Sequence, residues 1–157
     1  MSDNPSSSHN SGFFWVGTVE NEGDACYFTT SSIAGDAMDA MNKGWKWLVI
    51  VDDDTLLSVR KLLDLTKCYS SQDPIILGQR YGYFVSEEEG HDEGYDFLAG
   101  GGGMVFSFEV VRKMVEGKDM YGRSHCTCPG PEYADDMYFS GLCIKNLGLS
   151  VTHVEGF

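Results

Sequence analysis

The chain has 157 residues, of which 42% are hydrophobic and 13% aromatic, a size and composition that suit one globular domain and exclude a disordered chain. A net charge of −13 argues against a nucleic-acid partner held through its phosphates, which needs clustered Lys and Arg; an anionic nucleotide is still accessible if a cation bridges it. No stretch approaches the roughly 20 apolar residues of a membrane span, and the N-terminus shows neither the basic segment nor the apolar run of a signal peptide.

Residues 1–12 are rich in Ser and Asn and are expected to be disordered, leaving 13–157 as the domain. Residues 13–19 and 26–29 read as strands, separated by a charged, turn-like segment. Residues 34–42 read as a short helix ended by Lys43 and Gly44. Trp47, Leu48, Val49, Ile50 and Val51 then form an apolar run rich in β-branched residues, which predicts a strand buried on both faces.

Asp52, Asp53, Asp54 and Thr55 follow that strand directly. The C-terminal ends of strands are where open α/β sheets bind ligands. Three adjacent carboxylates repel one another, and a hard divalent cation relieves the repulsion. A metal site is therefore predicted here; the plainer alternative is an acidic turn in which one Asp caps the next helix.

Leu56, Val59, Leu62, Leu63 and Thr66 recur at helical spacing, predicting an amphipathic helix over 56–67 with its capping oxygen at Asp54 or Thr55. Residues 74–77 read as a strand, and the aromatic stretch 80–85 as another. Residues 86–95 are dense in acids and read as a solvated loop, a lid over the site being the other reading. Gly100, Gly101, Gly102 and Gly103 sit between apolar segments, so they are not a linker, and no Gly-Lys-Ser/Thr follows to make them a Walker loop. Glycine lets backbone approach a ligand closely.

Ser107 is placed to cap a helix over 108–116 whose Val111, Met114 and Val115 face the core. Residues 129–132 carry turn chemistry. Ala134, Asp135, Asp136 and Met137 open a last helix, with Met137, Ile144 and Leu147 on one face and Gly148 as its stop. One of the two acids is expected to cap this helix and the other to act as a general base. Residues 150–154 read as a final strand. The five cysteines are Cys26, Cys68, Cys126, Cys128 and Cys143, an odd number. Disulfides, free buried thiols, and a zinc site built from His125, Cys126, Cys128, Cys143 and His153 are all open, although the zinc spacing is not a standard one.

Three pieces, WLVIVDDDT, FLAGGGGMVFS and ADDM, stand in an order and content that resemble the Fringe-like β-1,3-glycosyltransferases, inverting enzymes of glycosyltransferase family 31. The likeness covers residues 45–157. Within the family, Ile76 through Tyr83 and Val151-Thr152-His153 lean towards members that extend O-linked fucose on thrombospondin type 1 repeats with glucose. The resemblance implies an α/β fold of GT-A type: a Rossmann-like mixed sheet flanked by helices, incomplete here. It implies a UDP-sugar donor, Mn²⁺ as cofactor, an O-fucosylated protein as acceptor, and residence in the lumen of the endoplasmic reticulum or Golgi.

By the same resemblance, Asp52, Asp53 and Asp54 correspond to the DxD motif, with Asp54 as the direct metal ligand, Asp52 contributing to the metal, and Asp52 or Asp53 contacting the donor. Gly100, Gly101, Gly102 and Gly103 correspond to the Gly-Gly-Ala-Gly that shapes the donor-sugar pocket, Gly102 standing where alanine is common. Asp136 corresponds to the catalytic base, preceded by Ala134 where proline is usual. Val16-Gly17-Thr18 corresponds to a uridine-contacting Val-Lys-Thr, with Gly17 in place of lysine.

The resemblance also implies an abridged chain. Almost nothing separates the first two strands, and the histidine that completes the metal site is expected just past Phe157. His153 lies a step too early, inside the strand, so weak metal affinity and little transfer are expected of residues 1–157. In a secretory compartment one of Cys126 and Cys128 is expected to bond with Cys143. Two other readings compete. A haloacid-dehalogenase-like phosphatase also places acids after an apolar strand, but its threonine position holds Leu56, with Thr55 one early. An inactive or partial transferase-like domain that only binds glycan or nucleotide is the other.

Overall fold

The computed structural model describes residues 13–16, 39, 42–52, 54–83, 94–126, 134 and 136–157. The predicted strand at 26–29, most of the helix at 34–42, the acidic loop as far as residue 93, the turn at 129–132, Asp53 and Asp135 lie outside the described residues. The central sheet has five strands in the order β1 (Phe13–Val16), β2 (Trp47–Ile50), β6 (Met104–Ser107), β3 (Ile76–Gly78) and β7 (Thr152–His153). It is mixed: β1 runs parallel to β2, β6 antiparallel to both β2 and β3, and β7 parallel to β3. A separate antiparallel pair joins β4 (Arg80–Tyr83) to β5 (Tyr95–Leu98).

The apolar run at 47–50 is buried at every position because helices cover both faces of the sheet. Side chains alternate along a strand. Leu48 and Ile50 therefore pack with Ile76, Met104 and Phe106 against α2 (Phe108–Glu116) and the late helical segment. Trp47 and Val49 pack with Leu77 and Val105 against Leu62 of α1 (Val59–Thr66) on the opposite face. Phe106 meets Phe139 edge to face, with ring centroids 5.2 Å apart. Each such buried side chain contributes about 1.5–3 kcal/mol.

Ser107 caps α2 as expected, its Oγ accepting from Val110 N at 3.4 Å. The same buried hydroxyl donates to Asp73 O at 2.7 Å and accepts from Ile75 N at 3.1 Å, tying the end of β6 to the approach to β3.

Two predicted helices differ from the structure. The helix expected over 56–67 begins only at Val59, capped by Ser58, whose Oγ accepts from Lys61 N. Leu56 is fully exposed and Val59 is 48% exposed, so neither faces the core, and residues 55–58 form a non-helical lead-in that ends on an extended Ser58. The late helix runs as a π-helical segment (Met137–Leu142) into α3 (Cys143–Asn146). The wider turn brings Tyr138, Phe139, Ser140 and Gly141 all into burial, which a 3.6-residue period does not predict. Gly141 permits this packing: a Cβ there would lie 2.6 Å from Tyr95 Cε2 and 2.9 Å from Phe97 Cβ of β5.

Cys126 and Cys143 are joined by a disulfide, which excludes a zinc site built on those two thiolates. Of the two partners left open for Cys143, the structure selects Cys126. Cys68 is a free, exposed thiol.

Candidate functional site

The sheet register brings the first two motifs together. Because β6 is antiparallel to β2 and pairs Ile50 with Met104, the residues following β2 lie beside those preceding β6. Asp52 and the glycine run are thus neighbours. Gly100–Gly102 forms one turn of 3-10 helix, closed by Gly103 N bonding to Gly100 O at 2.8 Å. Gly103 has φ +90°, and a Cβ on it would meet Val51 Cγ1 at 3.3 Å, so glycine is required there for both backbone conformation and space.

The glycine turn faces the Asp52 carboxylate. A Cβ on Gly100 would lie 3.3 Å from Asp52 Oδ1 and 3.5 Å from Asp136 Cβ; one on Gly101 would lie 3.7 Å from Asp52 Oδ2. Gly102 backs onto the other end of the domain, its Cβ position 3.2 Å from the carbonyl carbon of Phe157.

Asp136 reaches the same spot from the late helical segment. Its Oδ2 accepts the Gly100 N–H at 3.1 Å, and its Oδ1 accepts the Met137 N–H at 2.6 Å. Asp136 itself therefore occupies a first-turn N–H, a task expected of one acid while the other served as base. Ser140, buried one turn further on, holds the segment in place. Its Oγ donates to Asp136 O at 2.7 Å and accepts from Leu98 N at 2.7 Å, at the end of β5. Tyr138 does not compete as a base, since burial pushes its hydroxyl up to about 12.

Asp52, Gly100 and Asp136, predicted from three separate motifs, thus converge. Asp54 is exposed, and Asp53 is outside the described residues. Among the described residues no three His, Cys, Asp or Glu side chains cluster as a metal-binding group. His153, one step early for a metal ligand by sequence, accepts the Arg80 N–H on Nδ1 at 3.3 Å.

Sequence reasoning missed two residues. Ser140 carries no motif. The position of Thr55 before a helix suggests a cap, yet its Oγ1 accepts from Asp52 N at 3.1 Å and donates to Gly101 O at 3.1 Å. Beside this turn lies a cleft of about 450 Å³ lined by Thr55, Leu57, Lys61, Gly101, Gly102 and Phe157, among others.

The Fringe-like family model matches residues 25–157. This chain belongs to the Fringe-like family. The Fringe-like chain is 46% identical over 107 residues to the β-1,3-glucosyltransferases of mouse and human, a match covering 68% of this chain and 19% of theirs. It is 38% identical over 74 residues to mouse chondroitin sulfate synthase 3, covering 45% of this chain and 8% of that protein. The chain thus spans about a fifth of the length of the glucosyltransferases it matches. The family sets aside the phosphatase reading of the acid cluster. The mixed sheet with helices on both faces agrees with a Fringe-like domain. Among the described residues no helix is long and apolar enough to cross a membrane.

Proposed function

We propose that this chain carries the donor-binding and catalytic-base elements of an inverting, metal-dependent β-1,3-glycosyltransferase. The donor is a UDP-sugar, with glucose the sugar favoured by the likeness to β-1,3-glucosyltransferases. The acceptor is the 3-hydroxyl of O-linked fucose on a protein. The observation that carries the reading is the junction at Gly100, where the Asp52 carboxylate lies against the glycine turn and Asp136 holds its N–H.

Asp52 and Asp54 would hold the cation, with Asp53 or Asp52 turned to the donor. Their oxygen donors suit Mn²⁺, a cation that takes carboxylate oxygens as ligands. When bound, Mn²⁺ supplies Lewis-acid stabilisation of the charge that develops on the leaving diphosphate. Gly100, Gly101, Gly102 and Gly103 add no side chains of their own on the side that Gly100 and Gly101 turn to the Asp52 carboxylate, so a sugar can approach the backbone closely there.

Asp136 acts as the base. It takes the proton of the acceptor hydroxyl as that oxygen bonds to the anomeric carbon. The bond from that carbon to the phosphate oxygen breaks, and its electron pair leaves with UDP. Attack on the face opposite the leaving group inverts the anomeric centre, by the geometry that governs inverting glycosidases.

The Cys126–Cys143 disulfide supports residence in an oxidising lumen such as the endoplasmic reticulum or Golgi. The test is a panel of UDP-sugars with Mn²⁺ and a fucosylated thrombospondin-repeat peptide. Glucose transfer with release of UDP is expected when this segment is assayed within a longer form of the protein, with little transfer from residues 1–157 alone. UDP binding without transfer from any donor in that longer form would favour the binding-domain alternative, and no UDP binding in Mn²⁺ would overturn both.

A further inference from the structure

We propose that Thr55 is a positioning residue whose hydroxyl clips the backbone of Asp52 to the glycine turn, so that the carboxylate and the turn facing it are held as one unit. Its importance for donor binding rests on the function proposed above; the clip itself does not.

The structure takes Thr55 out of the role its position suggests. Helix α1 starts at Val59 with Ser58 as its cap, so the Thr55 hydroxyl is not needed at that helix end. It is used twice elsewhere. As acceptor it takes the Asp52 N–H at 3.1 Å; as donor it reaches Gly101 O at 3.1 Å, across 46 residues of sequence. The Thr55 N–H also bonds to Asp52 O at 3.1 Å, so Thr55 holds the Asp52 backbone at both its N–H and its carbonyl.

A glycine turn has no side chains with which to fix its own place. Internal bonds from Gly102 N to Ala99 O and from Gly103 N to Gly100 O shape it but do not orient it against Asp52. Asp136 pins it at Gly100, and Thr55 pins it at the next residue. Asp136, Gly100, Gly101, Thr55 and Asp52 therefore form one connected path from the proposed base to the proposed metal ligand. A hydroxyl that both donates and accepts is the group this place requires. Serine supplies it, and valine, of nearly the same shape, supplies neither function.

The experiment compares the 157-residue protein with Thr55→Val and Thr55→Ser. Hydrogen–deuterium exchange is read at the Asp52 amide and across residues 100–103, and UDP is titrated in the presence of Mn²⁺. Losing the bond should speed local exchange about tenfold in Thr55→Val and weaken UDP binding by a similar factor, in proportion to one net hydrogen bond. Thr55→Ser should restore both. Thr55→Ala, which adds no volume at a half-exposed position, replaces the valine variant should that fail to fold. Unchanged exchange in Thr55→Val, or exchange in Thr55→Ser as fast as in Thr55→Val, overturns the clip. Should exchange respond as expected while the wild-type protein binds no UDP, the clip stands and the donor-site reading falls.

Discussion

Gly100 donates its backbone N–H to Asp136 Oδ2 at 3.1 Å, joining the middle of the chain to the opening of its last helical segment. The bond sets the proposed base against the turn that faces Asp52. It also determines what a substitution at Asp136 does. In Asp136→Asn the amide oxygen can still accept the Gly100 N–H, but the side chain no longer takes a proton near neutral pH. UDP affinity should be kept while transfer, assayed in a longer, active form of the protein, falls about 10²-fold or more, the usual span of general-base catalysis. Calorimetry and a product assay on the same preparation check the two halves. Equal loss of binding and transfer would make Asp136 structural.

Asp54 is exposed and contributes little to the packed core. Asp54→Ala should therefore leave the melting temperature nearly unchanged, or raise it slightly as repulsion with the neighbouring acids is removed. The Mn²⁺-dependent part of UDP binding should disappear. Titration with and without Mn²⁺ decides the matter; unaltered affinity in the variant would remove Asp54 from the metal site.

At Gly100 a methyl group meets Asp52 Oδ1 at 3.3 Å and Asp136 Cβ at 3.5 Å. Gly100 is not among the positive-φ glycines, so alanine introduces crowding without backbone strain. Gly100→Ala should cost at most about 1–3 kcal/mol in stability through overpacking. Its larger effect should fall on UDP binding in Mn²⁺, since the methyl occupies space beside the carboxylate. Chemical denaturation beside calorimetry separates the two, and intact affinity would show that this space is not used by the donor.

The Cys126–Cys143 bond spans a sequence separation of 17. Closing a loop of that size contributes about 3 kcal/mol in the chain-entropy model. Both cysteines are buried in the cluster that includes Phe139 and Ile144, next to the segment bearing Asp136. Reduction, or Cys143→Ser, should lower the melting temperature and loosen the 137–142 segment. Thermal melts with and without reductant measure the first effect. A melting temperature insensitive to reductant would mean that the bond does not form in the purified protein.

What the sequence determined by itself was whatever depends on neighbours along the chain. The apolar run at 47–50 required a strand covered on both faces, and Ser107 before an amphipathic stretch required a capped helix. Three carboxylates on a strand end pointed to a candidate site, and a disulfide from Cys143 to Cys126 or Cys128 was one of the cysteine arrangements the sequence left open. The tertiary structure decided what depends on distant backbone. The register of Ile50 with Met104 set the glycine turn against Asp52. Ser140, anchored to β5, brought Asp136 to Gly100. Thr55 looked like a helix cap because hydroxyls before helices commonly are caps. Its actual partner, Gly101 O, is a backbone group 46 residues away and leaves no side-chain pattern to read. Leu56 fits a helical period, yet the chain there is not helical because the bonds between Thr55 and Asp52 and the cap at Ser58 delay the helix. Periodicity records where apolar side chains recur; hydrogen bonds across the fold decide which of them a helix takes up.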